Sequence, residues 1–217
     1  MKRMPSLSVT RLLLPAALLA SLAGCSILSS GDRNAVTIYS PAVQVKVDPS
    51  WPTVAWQLVL SKPSATRMVD SPRINVRPRP SELEIYAGAT WAQPATDMIE
   101  DALLRGFEDS GRIAGVGRAA AGIRADYRLA TDIRRFESDY RGQPTPTVVI
   151  EINAKLIHVV DQRVVIDRTF RQEQPVGSTD VPAVTAAFEK GLNALTADVV
   201  GWALSSGQKD TDGGSLR

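Results

Sequence analysis

Seven apolar residues near the end of this chain recur at steps of three and four: Val181, Val184, Phe188, Leu192, Leu195, Val199 and Trp202. That spacing predicts one helix of about six turns with a continuous apolar face. A stripe that long needs an equally long apolar partner, or it stays wet. Ser178 and Asp180 supply caps at its start, and Pro182 suits its first turn. Gly191 and Gly201 either weaken the helix locally or allow close packing.

The partner is legible upstream as segments of alternating pattern. "TVAWQLVL" (53–60), "RINVR" (73–77) and "SELEIYAG" (81–88) read as strands. "ADYRLATDIRRFE" (125–137) puts Tyr127, Leu129, Thr131 and Ile133 on one face. Phe136 is then out of phase, which predicts a bulge near Arg134–Arg135. "TVVIEINAKLIHVV" (147–160) and "RVVIDRTFRQE" (163–173) form a hairpin joined at Asp161-Gln162. A shorter helix follows Trp91: Pro94 suits its first turn, Met98, Ile99, Ala102, Leu103 and Phe107 form its stripe, and Gly111 stops it. The order is three strands and a helix, a glycine-rich connection with room for a short strand, then three strands and a helix. The expected fold is α+β: a two-layer sandwich of a mixed, largely antiparallel sheet with two amphipathic helices on one face.

The chain's only cysteine is Cys25, in "SLAGCSILSS". Lys2, Arg3 and Arg11 precede an uncharged run, residues 12–23, which is too short to span a bilayer and holds Pro15. This is the layout of a secretory signal. Its end, Leu22-Ala23-Gly24-Cys25, resembles a bacterial lipobox, in which the thiol receives diacylglycerol and cleavage exposes an amine for a further acyl chain. Two or more acyl chains anchor stably where one is marginal. The alternative is an ordinary cleaved signal with a chance cysteine. Ser26, where aspartate would retain many lipoproteins in the inner membrane, favours the periplasmic face of the outer membrane.

The expected organisation is a lipoprotein signal over 1–24, a lipidated N-terminus and tether over 25–50, a folded domain over 51–206 and a disordered tail over 207–217. "VTIYSPAVQV" within the tether has room for a further strand, but Pro41 and Pro49 interrupt it, and the tail lacks apolar periodicity. The signal carries three of the 25 basic residues and none of the 23 acidic ones, so the mature chain is close to neutral. Nothing in that balance suggests nucleic acid as a partner.

No catalytic set stands out. His158 is the only histidine, on a strand face with Ile150, Ile152, Ala154 and Leu156. With one histidine and an acylated cysteine, zinc and Cys–His chemistry find no ligands, and no cofactor motif is present. "GRIAGVGRAAAG" (111–122) follows a helix rather than a strand and lacks G-K-[ST], so it reads as a connection. Glu108–Asp109 lies at a helix end with no apolar pocket to shift a pKa. "DIRRFESDYRG" reads as a solvated strand and turn. Four residues remain as candidate contacts to a partner or to lipid: Trp51 beside Pro49 and Pro52, and Arg73, Arg77 and Arg79 in "PRINVRPRP".

Taken in order, Arg73–Val76, Tyr86, Trp91–Pro94, Ala125–Leu129, Phe136–Glu137 and Trp202 resemble the pattern of the ABC-type transport auxiliary lipoproteins, which include the PqiC-like, membrane-integrity-associated subunits. Ile85, Gln93 and Ala95 depart from the family's usual residues while keeping their structural roles. The resemblance implies a non-enzymatic periplasmic subunit of a lipid or organic-solvent transporter. Its partner would be a substrate-binding protein with an MCE (mammalian cell entry) domain, met by docking or bridging. A homo-oligomer stays open. The alternatives from the residues are a general envelope-assembly or structural lipoprotein, and a hydrolase with an unfamiliar site around His158.

Overall fold

The computed structural model describes residues 35–214. In chain order the elements are β1 (Thr37–Tyr39), β2 (Val54–Leu60), β3 (Ser64–Ala65), β4 (Arg73–Arg77), β5 (Glu84–Trp91), α1 (Ala95–Ser110), β6 (Ile113–Arg118), β7 (Tyr127–Asp139), β8 (Thr147–His158), β9 (Val164–Pro175) and α2 (Val181–Gly214). The nine strands form one mixed sheet, and the two helices share its core. The α+β class expected from the sequence is the fold observed.

Strand β7 is the spine of the sheet. One edge carries β8 along its whole length, antiparallel, and β9 extends that ladder. The other edge is shared in succession by three short parallel strands: β2 at Tyr127–Leu129, β3 at Asp132–Ile133 and β4 at Ser138–Asp139. β6 pairs with the outer edge of β2, and β5 with that of β4. The two longest ladders are thus antiparallel, while most of the short pairings are parallel.

The expected bulge is present. Ile133 pairs with Ile152 and Arg135 with Glu151, which leaves Arg134 as the extra residue. Phe136 therefore turns inward, 1% exposed, against Trp91 and Phe188 at centroid distances of 6.0 and 4.9 Å. Trp91 and Phe188 close that triangle at 5.0 Å. Offset and edge-on contacts of this kind add to the area they bury.

The helix α1 ends as its sequence dictates. Gly111 adopts φ +59, and its N–H donates to the Glu108 carbonyl at 3.2 Å. The helices touch closely: a Cβ at Gly106 would sit 2.7 Å from Thr196 Cγ2. In α2, a Cβ at Gly191 would stand 3.3 Å from Ile150, and one at Gly201 would stand 2.4 Å from the Trp51 indole nitrogen. The glycines of α2 therefore serve close packing.

Two boundaries differ from expectation. The domain begins at β1, not at Trp51, because β1 adds to the edge of β5 in parallel. After Pro41 the chain runs as an extended strap along α2. The Ala42 N–H donates to Glu189 Oε2 at 3.0 Å and the Gln44 N–H to Asn193 Oδ1 at 2.8 Å, while Val43 packs on the core. The prolines end the strand but leave the segment docked, since helix side chains supply the acceptors that a neighbouring strand would have supplied. At the other end, α2 does not stop near Ser205. It runs to Gly214, although residues 207–217 were expected to be disordered. A Cβ at Gly207 would lie 2.5 Å from the Trp56 ring, and Tyr127 Oη bonds Asp210 at 3.0 Å and Thr211 at 3.1 Å. The last turns hold by polar side chains and close backbone approach, so no apolar stripe reports them.

A chain ending at Ser206 should lose about 2–3 kcal/mol of stability by urea unfolding, because one face of Trp56 is uncovered. Unchanged stability would mean that the final turns do not support the domain.

Candidate functional site

Arg77 lies at the end of β4, beside the buried end of β7. Its Nε and Nη2 donate to Glu137 at 2.8 and 3.0 Å. Glu137 also accepts from Arg135 Nε at 2.7 Å, and Arg135 Nη2 reaches Asp139 at 2.6 Å. Asp139 accepts the Arg141 N–H at 3.0 Å, and Arg141 Nη2 donates to Glu173 at 2.8 Å. Arg171 donates to Glu173 and, at 2.8 Å, to Glu151. Four guanidinium groups and four carboxylates thus form one neutral lattice across β4, β7, β8 and β9, on the sheet face away from the helices.

The lattice corrects the reading of "DIRRFESDYRG" as solvated. Glu137 is 3% and Asp139 6% exposed. The signal was present as Arg135, Glu137 and Asp139 at steps of two, facing Glu151, Arg171 and Glu173 on adjacent strands. What hid it was the phase change at the bulge.

The three arginines singled out from the sequence are not brought together into one site. Arg77 is engaged by Glu137. Arg79 is exposed and pairs with Glu82 at 2.9 Å. Arg73 is exposed at the start of β4. A phosphate approaching Arg77 would have to displace a two-point carboxylate contact.

Trp51 is half-buried, its indole against Gly201. With Trp202, Phe170 and Ile166 it lines an open groove of about 690 Å³ between the strap, β9 and α2. Trp202 meets Phe170 edge-on at 5.3 Å, and the Arg168 guanidinium stands 5.0 Å from the Phe170 ring centre. Lys46 and Lys209 line it together with Asp48, Asp167 and Asp198, so neither charge dominates.

A second cleft, of about 530 Å³, lies at the C-terminal end of α2. Trp56 meets Tyr127 edge-on at 5.0 Å, and Tyr127 meets His158 at 5.5 Å. His158 Nδ1 lies 2.8 Å from Asp161 Oδ1, and Arg163 donates to Asp210 at 2.9 Å. Asp161 is His158's one hydrogen-bonding side chain among the described residues, so nothing is poised as a nucleophile on the imidazole. No cluster of three or more metal-ligating side chains occurs among the described residues. No helix among them is long and apolar enough to cross a membrane. Cys25, Leu22, Ala23 and Gly24 lie outside the described residues.

The lattice fixes the acid response. Hydrogen bonds from Arg141 and then Arg171 hold the Glu173 carboxyl at about 2, down from 4.5. Burial pushes the Asp139 carboxyl up, but Arg135 and the Arg141 N–H outweigh it and leave it lowered. Folded-state values below unfolded ones stabilise the ionised fold, and that contribution fades as pH falls through them. Unfolding free energy should be flat above about pH 5 and fall steadily between 4.5 and about 2, less steeply in Glu173→Gln. In urea at neutral pH, Glu137→Ala should cost about 3 kcal/mol, since it leaves the largely buried Arg77 without a carboxylate and Arg135 with Asp139 alone. Glu173→Ala should cost under about 1 kcal/mol, because that carboxylate is largely hydrated. Equal losses would show that burial does not grade the lattice.

The sequence model of the ABC-type transport auxiliary lipoprotein component family matches residues 37–200. A crystal structure of a Xanthomonas campestris protein, described under the family heading DUF330, is 59% identical in sequence. The match covers 82% of this chain and 99% of that one, with a TM-score of 0.79. A crystal structure of an uncharacterized protein shares the fold at a TM-score of 0.60 and 15% identity, over 76% of this chain and 97% of that one. An uncharacterized protein of Bradyrhizobium diazoefficiens is 24% identical over 83% of this chain, which spans about half of that relative's length, 48%. The family match runs from β1 through most of α2, and the chain belongs to the ABC-type transport auxiliary lipoproteins.

Proposed function

We propose that this chain is a lipid-anchored periplasmic subunit of an MCE/ABC-type transport system for lipid or organic solvent, held on the outer membrane through Cys25. It acts by docking or bridging rather than by catalysis. The observation that carries the reading is the family match over residues 37–200, from β1 through most of α2. The side-chain chemistry agrees with it. The arginines and carboxylates of the sheet are engaged with one another, and His158 faces an aspartate and a tyrosine ring. What is left to a partner is shape, aromatic groove and aliphatic surface.

Mechanistically, acylation at Cys25 fixes one end of the chain at the membrane. The strap and β1 then join the tether to the domain through β5 and α2. A domain so held raises the effective concentration of its surface near transporter components that reach the same membrane.

Crosslinking in intact cells, followed by identification of the joined protein, tests this directly. Wild type should capture an MCE-domain protein, and Cys25→Ala should capture at least tenfold less. A different partner would point to general envelope assembly, and capture independent of Cys25 would remove the anchor from the mechanism.

A further inference from the structure

β9 has a neighbour on one side only. It pairs with β8, and no other strand among the described residues lies along its second edge. The register says which backbone groups that edge presents. The Val176 N–H donates to the Pro146 carbonyl, and the Val159 N–H to the Asp126 carbonyl. In an antiparallel ladder such bonds join the residues of every second pair. Odd-numbered residues of β8 therefore bond β7, and even-numbered residues of β9 bond β8. The N–H and C=O groups of Asp167, Thr169, Arg171 and Glu173 point to the second edge. All four residues are exposed, and these backbone groups have no partner among the described residues.

Edge strands are ordinarily blunted by lysine, by proline or by a bulge. β9 holds no lysine, and Pro175 is its last residue. Its bulge lies at the other end, where Leu156 pairs with Ile166 and Ile157 with Val164, leaving Val165 extra. Between Val165 and Pro175 the edge is uninterrupted.

The side chains say what fits that edge. A second β9 running antiparallel has few two-fold registers open to it. A two-fold at Asp167, Arg168, Arg171 or Glu173 sets a charge against its own copy, and one at Phe170 sets Asp167 against Glu173. One at Gln172 puts Pro175, which has no N–H, opposite the outward-pointing Thr169. Nearer either end the ladder meets the bulge or Pro175. A two-fold at Thr169 meets none of these. It places Asp167 opposite Arg171, Arg168 opposite Phe170, Ile166 opposite Gln172 and Thr169 opposite itself. Opposite charges, and threonine on threonine, are favourable cross-strand pairs. Arg171 has committed three of its five N–H donors, to Glu173 and Glu151, and keeps two for a further carboxylate. Arg168 already stands over its own Phe170, the kind of contact the copy's ring offers again. The four charges of β9 sum to zero, so they select a register at contact and attract nothing from afar.

We propose that β9 pairs with β9 of a second copy of this chain, antiparallel about a two-fold at Thr169, so that two domains share one continuous sheet. The ladder over residues 166–172 adds about six backbone hydrogen bonds. This inference stands apart from the docking reading above.

The test uses the full-length chain in detergent, with micelles in excess over protein. Wild type should sediment as a dimer at tens of micromolar. Under mild oxidation Thr169→Cys should give at least tenfold more disulfide-linked dimer than Glu173→Cys or wild type, whose one cysteine is Cys25. Residues paired at the two-fold stand about 5.5 Å apart at Cα, within disulfide reach, whereas position 173 lies about 27 Å from its copy. Asp167 is exposed and takes no part in the lattice. Asp167→Arg sets like charges opposite each other at the copy's Arg171 and should weaken dimerisation at least tenfold, with an unchanged circular dichroism spectrum. A monomeric wild type, a position 169 that stays silent whatever the assembly, a disulfide from position 173 instead, or an undiminished dimer in Asp167→Arg would each overturn the proposal.

Discussion

One extra residue in β7 keeps two carboxylates out of the core. Strand side chains alternate, so without the bulge at Arg134 the inward set of Tyr127, Leu129, Thr131 and Ile133 would continue through Arg135, Glu137 and Asp139. Burying two unpaired carboxylates among the apolar residues of α2 would cost several kcal/mol each. The bulge reverses the phase. Phe136 and Ser138 face inward, and the charged residues face outward, where Arg77 of β4, Arg135 of β7 and Arg141 of the following turn meet the two carboxylates. The aromatic triangle of Trp91, Phe136 and Phe188 and the neutral lattice are two consequences of the same shift in register.

The bulge also bears on how the sheet is built. β4 reaches β7 only beyond it, at Ser138 and Asp139, while β2 and β3 pair before it. A strand that changes phase and bends can offer one edge to three short partners in turn, which a flat strand of this length would offer to one. β4 then carries β5, and β5 carries β1, so the place where the chain joins the domain depends on pairings made at the far side of the bulge.

Much of this was legible because it follows from periodicity. Phe136 out of phase revealed the bulge, and the steps of three and four revealed both helices. The strap and the end of α2 were not legible, for one shared reason. Each is held by side chain to backbone bonds or by close approach to glycine: Glu189 to the Ala42 N–H, Asn193 to the Gln44 N–H, and Gly207 beneath Trp56. Such contacts leave no period in the sequence. Within the arginine run 73–79 the pairing of Arg77 was also hidden, because its partner, Glu137, lies sixty residues on, whereas Arg79 pairs locally with Glu82. The fold, not the local charge, decides whether those arginines are free.

The lattice constrains recognition as well as stability. Isolated surface ion pairs contribute little, but here Glu137 and Asp139 are buried and each guanidinium is held by at least one carboxylate. Such a face is rigid and carries no net charge, so it neither attracts a phosphate-rich surface nor steers a charged partner over distance. Selectivity for a different protein must then arise from shape and from apolar area. The apolar area is distributed unevenly, between the aromatic groove of Trp51 and Trp202 along the body and the valines of the β8–β9 turn at the end. The groove is open, and acidic and basic side chains line it together, so what binds there would be selected by its aromatic and apolar contacts rather than by its charge.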